Sequence, residues 1–278
     1  MKKLFCTTIC LLLASAIGLA QAKADRDTYR IQQQARVRIA GGYQCGSDPI
    51  LLTDGSSTQD YVGASPNYYL VHLQAGHSYS AEMWDPLDLY IGGGAQLVLL
   101  SSPGCTTIAT TDFASADPNL SNDFADRISW RQSANADAVL QVNNLDTTGS
   151  FYTYVIRVTD TTLQNNYWTT ASGLGTEFVF SNNTQQTLSG KLLVKDVTAG
   201  GVNYTVTITV PSGQQVIEIV ASSAGLASPG LQVPANHIGR ATFGFTGPPG
   251  GIMAEAYTVT TANVPISYIK FEPKFSPR

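Results

Sequence analysis

The stretch Asp126-Arg127-Ile128-Ser129-Trp130 opens the part of the sequence that decides the fold of the first half of the chain. After turn-forming residues it continues as Ala138-Val139-Leu140-Gln141-Val142 and then as Tyr152-Thr153-Tyr154-Val155-Ile156-Arg157-Val158. Apolar and polar residues alternate, so that Ile128 and Trp130 face one way and Arg127 and Ser129 the other. This period of two predicts half-buried strands of an antiparallel sheet, which needs a second sheet to cover its apolar face. We therefore predict a β-sandwich whose remaining strands come from the preceding sequence.

The chain begins with a segment typical of a secretory signal peptide. Lys2 and Lys3 precede an apolar run over residues 4–20, and Ala20-Gln21-Ala22 and Ala22-Lys23-Ala24 both offer small-residue cleavage sites. A retained membrane anchor is the alternative, but the run is short for a span of about 20 residues. We expect residues 1–24 to be removed, leaving a protein that is secreted, periplasmic or at the cell surface and not inserted in a membrane.

Charge and composition exclude some classes of partner. Without Lys2, Lys3 and Lys23, 13 of the 16 basic residues remain against 20 acidic ones, which gives seven excess negative charges. This balance argues against nucleic acid and against anionic membrane surfaces. Only 13% of the residues are charged, and hydroxyl and amide side chains take their place, as is common in secreted β-proteins.

Two cysteines remain after the signal segment, which holds Cys6 and Cys10. An even pair in an exported chain predicts a disulfide between Cys45 and Cys105. In the chain-entropy model, closing a loop of roughly 60 residues stabilises the fold by about 4 kcal/mol. A metal site or a nucleophilic thiol is the alternative.

Four short motifs occur in residues 60–160: the Tyr69-Val71-Leu73 strand with its Ala75-Gly76 turn, the Leu87-Asp88-Leu89-Tyr90-Ile91 strand, the Ile128–Trp130 strand, and Gly149-Ser150-Phe151-Tyr152 before Ile156-Arg157-Val158. Together they resemble the bacterial pre-peptidase C-terminal domain. The resemblance implies a jelly-roll-like β-sandwich of a kind found beside secreted proteases and other exported proteins, where it is non-catalytic. The long loop from Asp112 to Asp126, the two cysteines and the lack of a peptidase upstream depart from the family pattern.

The rest of the chain predicts an all-β protein of two antiparallel β-sandwich domains. Residues 25–42 are predicted to form a solvated leader, and a basic interaction arm is the alternative. The first sandwich is predicted over residues 43–160. Residues 161–175 are expected to be a linker, in which Tyr167 and Trp168 indicate a partly packed junction. The alternation of Tyr204, Val206, Ile208 and Val210 predicts a second sandwich over 176–278, with immunoglobulin-like or fibronectin-like architecture.

The sequence offers no catalytic residue. The chain has three histidines, His72, His77 and His237, and no Gly-x-Ser-x-Gly motif. The spacing of His72 and His77 fits neither a zincin helix nor a zinc knuckle, so both are expected to be exposed residues of a strand and a turn. No role is assigned to His237.

Two weak binding sites are possible. Asp112, Asp117, Asp123 and Asp126 lie in one loop and their carboxylates suit Ca²⁺, although a solvated loop without metal is the simpler interpretation. Trp84, Tyr90, Tyr167 and Trp168 are the selected candidates for stacking on a sugar, with Tyr43, Tyr61 and Tyr68 as further exposed candidates.

These observations favour an exported, non-enzymatic binding, adhesion or envelope-structural protein. Its expected partner is a glycan or a surface or matrix protein, and the sequence leaves its oligomeric state open. The alternative is a secreted, glycan-directed hydrolase with an acidic site in the first domain that the sequence does not reveal. A deep cleft with converging carboxylates would distinguish the two.

Overall fold

The computed structural model describes residue 45 and residues 49–84, 95–110, 126–145, 152–222 and 230–273. Nearly all regular structure in them is β-strand, with one short 3₁₀ helix at Ala171–Gly173. In these residues no helix is long and apolar enough to cross a membrane. The strands of the first half are β1 (Ile50–Leu52), β2 (Ser57–Val62), β3 (Asn67–Leu73), β4 (Ser78–Trp84), β5 (Ala95–Ser101), β6 (Thr107–Thr110), β7 (Asp126–Arg131), β8 (Ala136–Asn144) and β9 (Tyr152–Asp160). Those of the second half are β10 (Leu163–Thr169), β11 (Gly175–Asn182), β12 (Leu188–Asp196), β13 (Tyr204–Val210), β14 (Gln215–Ala221), β15 (Gly230–Gln232), β16 (Ile238–Thr246), β17 (Ile252–Val259), β18 (Pro265–Lys270) and β19 (Glu272–Pro273).

Residues 50–160 form the first sandwich from two sheets. Sheet A has the order β1-β3-β8-β5-β6 and sheet B the order β2-β9-β4-β7. Tyr69, Leu97 and Leu140 of sheet A share one buried apolar cluster with Met83 and Ile156 of sheet B. The sheets are antiparallel except at one edge, where β1 pairs parallel to β3.

The strands predicted from residues 126–158 are confirmed as β7, β8 and β9. Ile128 is buried in the core and Trp130 packs against it, while Arg127 and Ser129 lie on the other face of sheet B. The predicted segment over residues 87–91 and the leader over 25–42 lie outside the described residues.

Residues 163–273 form the second sandwich. Sheet C has the order β13-β12-β16-β10-β19 and sheet D the order β15-β14-β11-β17-β18, with β15 pairing parallel to β14. Aromatic side chains fill the space between the sheets: the rings of Phe180 and Phe243 have centroids 4.5 Å apart, and Phe271 packs against Phe178. The predicted alternation in β13 is confirmed, since Ile208 and Val210 are buried among these rings.

The prediction of a linker at 161–175 is wrong in its central part. Residues 163–169 form β10, which pairs antiparallel with β16 inside sheet C. Trp168 is fully buried in the core of the second sandwich, so it does not pack between two domains. The physical reason is that an apolar indole gains more from a closed core than from a junction exposed to water.

Polar groups join the two sandwiches instead. The Thr161 hydroxyl donates to the Phe245 carbonyl (3.0 Å), and the Ser129 hydroxyl donates to the Gly247 carbonyl (3.2 Å). At Gly244 a side chain would meet the Ser78 hydroxyl, because the ideal Cβ position is 2.7 Å from it. Sheet B therefore meets the end of β16 at close range through small residues.

The predicted disulfide between Cys45 and Cys105 is confirmed. The two Cα atoms are 5.3 Å apart and the residues are 60 positions apart in sequence. Cys45 lies in a second apolar cluster with Leu70, Val98 and Val139, on the face of sheet A that points away from sheet B. The disulfide therefore fastens residue 45 over apolar surface that would otherwise face water.

Candidate functional site

The face of sheet D that points away from sheet C carries a group of exposed aromatic and apolar side chains. In β17, Ala254 and Ala256 are buried in the core, so Met253, Glu255 and Tyr257 point outward. The antiparallel pairing of β17 with β18 sets Tyr268 opposite Tyr257. Two tyrosines therefore lie side by side on this surface, which we call the tyrosine face.

A single carboxylate holds both tyrosines. The Tyr257 hydroxyl donates to Glu255 Oε2 (2.8 Å), and the Tyr268 hydroxyl donates to Glu255 Oε1 (3.2 Å). The ring centroids are 5.3 Å apart and the ring planes are inclined by 45°. Tyr268 is 52% exposed, so its ring is open to a ligand while its hydroxyl is fixed.

The hydroxyl groups of this face stay protonated at neutral pH. The hydrogen bond to Glu255 raises the pKa of Tyr257, and desolvation and the charge of Glu255 act in the same direction. Desolvation and then Glu255 raise the pKa of Tyr268 as well. Both hydroxyls therefore remain donors to the Glu255 carboxylate at neutral pH.

Apolar and charged side chains surround the tyrosines. Exposed Met253 and Ile217 lie on the same face of β17 and β14, and exposed Ile266 lies in β18. Glu177 is opposite Tyr257 in the pairing of β11 with β17, and Lys270 is opposite Glu255 in the pairing of β17 with β18. Among the described residues no ion pair joins Lys270 to Glu255.

Trp168, one of the four predicted stacking residues, cannot stack on a ligand. It is fully buried, and its indole N–H donates to the carbonyls of Arg240 (3.1 Å) and Lys195 (3.3 Å). The prediction failed because Trp168 was assigned to a linker. Its neighbour Tyr167 is 40% exposed, at a register shift of β10, and can still contact a ligand.

Of the other two predicted stacking residues, only Trp84 is described, at the end of β4. Trp84 is half-buried at the edge of the described segment, and Tyr90 lies outside the described residues. The Arg157 guanidinium lies 5.3 Å from the centroid of the Trp84 ring and bonds to Glu82 Oε2 at 2.6 Å. Arg157 therefore already occupies a face of Trp84, which leaves less of the ring for a sugar.

The predicted calcium ligands are only partly within the described residues. Asp112, Asp117 and Asp123 lie outside them, and Asp126 is buried at the start of β7, opposite Met83. No group of three or more metal-binding side chains occurs among the described residues. Calcium binding by this loop stays a prediction.

Each of the three histidines is hydrogen-bonded through Nδ1 to an aspartate. His72 bonds to Asp137 at 2.6 Å on the surface, as expected for an exposed strand residue. His77 was expected to be exposed, but it is buried against Asp160 because β4 and the end of β9 enclose it. The partner of His237 is Asp196, whose side chain is inaccessible to solvent.

The environment of the His77–Asp160 pair is that of a buried structural group. Asp160 also accepts from the Thr162 N–H (2.9 Å), and its own N–H donates to Asp54. The pKa of the adjacent Tyr79 is raised to about 12, mainly by burial. A hydrogen bond from the Gln74 N–H lowers this pKa, and the charges of Asp160 and Asp54 raise it. The pair fixes the end of the first sandwich where the chain enters the second.

The three central residues of the tyrosine face, Tyr257, Tyr268 and Glu255, were missed in the sequence. The available signal was the alternation Met253-Ala254-Glu255-Ala256-Tyr257, in which large and small side chains occupy opposite faces. Alternation predicts two faces but does not say which one is buried when alanine lies on one side and tyrosine on the other.

No family model and no curated protein matches the chain. Among solved structures, the pre-peptidase C-terminal domain of a collagenase from Bacillus anthracis is similar at 14% identity, over 41% of this chain and 98% of that domain, with a TM-score of 0.27. An uncharacterised protein from Burkholderia cenocepacia is similar at 9% identity, over 74% and 82% of the two chains, with a TM-score of 0.28.

The N-terminal CBM22-1–CBM22-2 tandem domain of Xyn10C from Paenibacillus barcinonensis is similar at 10% identity, over 76% and 82% of the chains, with a TM-score of 0.21. The collagenase domain belongs to the family that the motifs of residues 60–160 resemble in sequence. At these TM-scores none of the three similarities carries an argument about function.

Proposed function

We propose that this chain is an exported, non-enzymatic binding protein whose second sandwich binds carbohydrate through the tyrosine face. The observation that carries the proposal is the group of Tyr257, Tyr268 and Glu255, in which one carboxylate fixes the exposed ring of Tyr268 beside the half-buried ring of Tyr257. Export is supported by the disulfide between Cys45 and Cys105, because disulfides persist in oxidising compartments.

The chemistry of the tyrosine face suits a sugar. The C–H groups on one side of a sugar ring form an apolar surface that packs on an aromatic ring, and its hydroxyl groups need hydrogen-bonding partners around that ring. Tyr268 offers the ring, and the oxygens of Glu255 keep acceptor capacity beyond the two tyrosine hydroxyls. Since the two ring planes are inclined by 45°, each ring would contact a different sugar of one chain.

The hydrolase hypothesis has less support. It needs two converging carboxylates in the first domain, and the sequence identifies no such pair. The histidine pair that most resembles a catalytic dyad, His77 with Asp160, is buried and bonded to the backbone around it. A binding role needs neither group.

Replacing one tyrosine tests the proposal. Glycan-array screening of the mature protein identifies a ligand, and calorimetry then compares wild type with Tyr268→Ala and Tyr257→Ala. Loss of one stacking ring should weaken binding about tenfold, equivalent to about 1.4 kcal/mol. Circular dichroism should remain unchanged, because Tyr268 is exposed and contributes little to the core.

Tyr167→Ala is the comparison variant, since Tyr167 is a predicted stacking residue that is exposed and it lies on sheet C, away from the tyrosine face. It should bind as wild type does. Equal loss of binding in Tyr167→Ala and in Tyr268→Ala, or no binding of any glycan by folded wild-type protein, would contradict the proposal.

A further inference from the structure

We infer that the tyrosine face selects neutral or amine-bearing polysaccharides and discriminates against acidic ones. The inference rests on the proposed function and names its ligand class. Its basis is the distribution of charge around the two rings, which is independent of the stacking argument.

The charges around the rings are mostly negative. Glu255 contacts both tyrosine hydroxyls, and Glu177 is directly opposite Tyr257 on β11. The positive group on the outward side of these strands is the exposed Lys270, directly opposite Glu255 on the edge strand β18, so two carboxylates outnumber one ammonium group around the rings. Glu218 lies on the opposite face of β14, in register with the buried Phe178, and faces away from the ligand.

A sugar stacked on Tyr268 would bring its substituents close to Glu255. Neutral hydroxyls would donate to the carboxylate, and an ammonium group would form a charge-assisted bond with it. A ligand carboxylate would instead meet a like charge at about 4 Å, which even in bulk water weakens binding about fivefold. Glu255 therefore favours the first two ligand classes, and both carboxylates oppose the third.

Glu255 contributes both to the orientation of the rings and to the local charge, whereas Glu177 contributes only to the local charge. Glu255 orients both rings, so replacing it disturbs stacking and charge together. Glu177 makes no hydrogen bond to either tyrosine among the described residues, so its charge can be removed without moving the rings. Glu177→Gln is therefore the variant that isolates electrostatic selection.

The test uses the full mature chain and three soluble polysaccharides: laminarin as the neutral one, chitosan oligosaccharides as the amine-bearing one and polygalacturonate as the acidic one. Binding is measured at low and high salt. Laminarin or chitosan should bind at least fivefold tighter than polygalacturonate at low salt, and the difference from polygalacturonate should shrink at high salt because the repulsion is screened.

Glu177→Gln should improve polygalacturonate binding at low salt by a few-fold and leave laminarin binding unchanged. The control is Glu272→Gln, which removes an exposed carboxylate of sheet C. It should change neither affinity. An improvement of the same size in the control would overturn the inference, because the selection would then follow overall charge.

The outcomes separate this inference from the proposed function. In one outcome, polygalacturonate binds as tightly as laminarin and chitosan or more tightly, and loses this binding in Tyr268→Ala. That result would overturn the charge selection but would still support carbohydrate binding by the tyrosine face. If no polysaccharide binds at all, both fail. Dimers in analytical ultracentrifugation that Tyr268→Ala dissociates would identify the face as an interface between copies of the chain, and would overturn both as well.

Discussion

Trp168→Ala should destabilise the second sandwich strongly, although the sequence placed this residue in a linker. The side chain is fully buried among the core residues, and its N–H satisfies the carbonyls of Lys195 and Arg240. Neighbouring Gly239 has no room for a side chain, because its ideal Cβ position is 2.6 Å from the indole nitrogen. Removing a packed tryptophan costs about 3–5 kcal/mol, and a carbonyl left unsatisfied costs about 1–3 kcal/mol more.

A loss of at least about 4 kcal/mol should lower the melting temperature of a sandwich of this size by about 15 °C or more, at roughly 4 °C or more per kcal/mol. Differential scanning calorimetry of wild type and Trp168→Ala measures this shift. Tyr167→Ala is the control, and it should stay within about 0.5 kcal/mol of wild type because the side chain is exposed. A Trp168→Ala protein that melts within a few degrees of wild type would refute the core assignment.

Four further predictions follow from the structure. Replacing Cys45 and Cys105 by alanine should lower the stability of the first sandwich by about 4 kcal/mol in the chain-entropy model, measured by urea unfolding under non-reducing conditions; an unchanged midpoint would contradict it. Burial alone would raise the pKa of Asp196, but hydrogen bonds from His237 and Thr198 hold it below its usual value. The stability from this group is therefore complete above about pH 4 and is lost as the pH falls through the lower folded pKa; acid unfolding of wild type should be steeper than that of Asp196→Asn, and parallel curves would count against it. Gly244→Val should separate the two sandwiches, because a side chain there meets Ser78; small-angle scattering should show a larger radius of gyration at unchanged circular dichroism, and an identical curve would exclude a close junction. If Asp112, Asp117 and Asp123 bind calcium, excess Ca²⁺ should raise the melting temperature of the first sandwich over that in chelator; equal temperatures would leave a solvated loop.

The strands that could be predicted are those in which one side of the alternation is plainly apolar. In β7 and β9 the buried side holds Ile128, Tyr154 and Ile156, against Arg127 and Arg157 on the other side. Burying the first set and solvating the second is the favourable arrangement, so period two determines both strand and orientation. The same reasoning explains why β13 was placed correctly.

The strand β10 could not be predicted in the same way, because its pattern is interrupted. Its pairing with β16 shifts register between Asn165 and Trp168, so Leu163 and Trp168 both pack in the core although they are five residues apart. A shift of this kind adds a residue to one strand and breaks period two locally. Polar Asn165 and Asn166 between them then resemble a loop in the sequence.

The tyrosine face was hidden for a different reason, which concerns volume. In β17 the core side holds Ala254 and Ala256, each opposite a phenylalanine of β11, Phe180 and Phe178. The two rings already fill the space between the sheets, together with Phe243 and Phe271, so only small residues fit beside them. The larger Met253 and Tyr257 must therefore point to solvent, which reverses the usual relation between size and burial. A strand with alanine on one side and tyrosine on the other is thus a place to look for a binding surface once a neighbouring strand is known to supply the aromatic core.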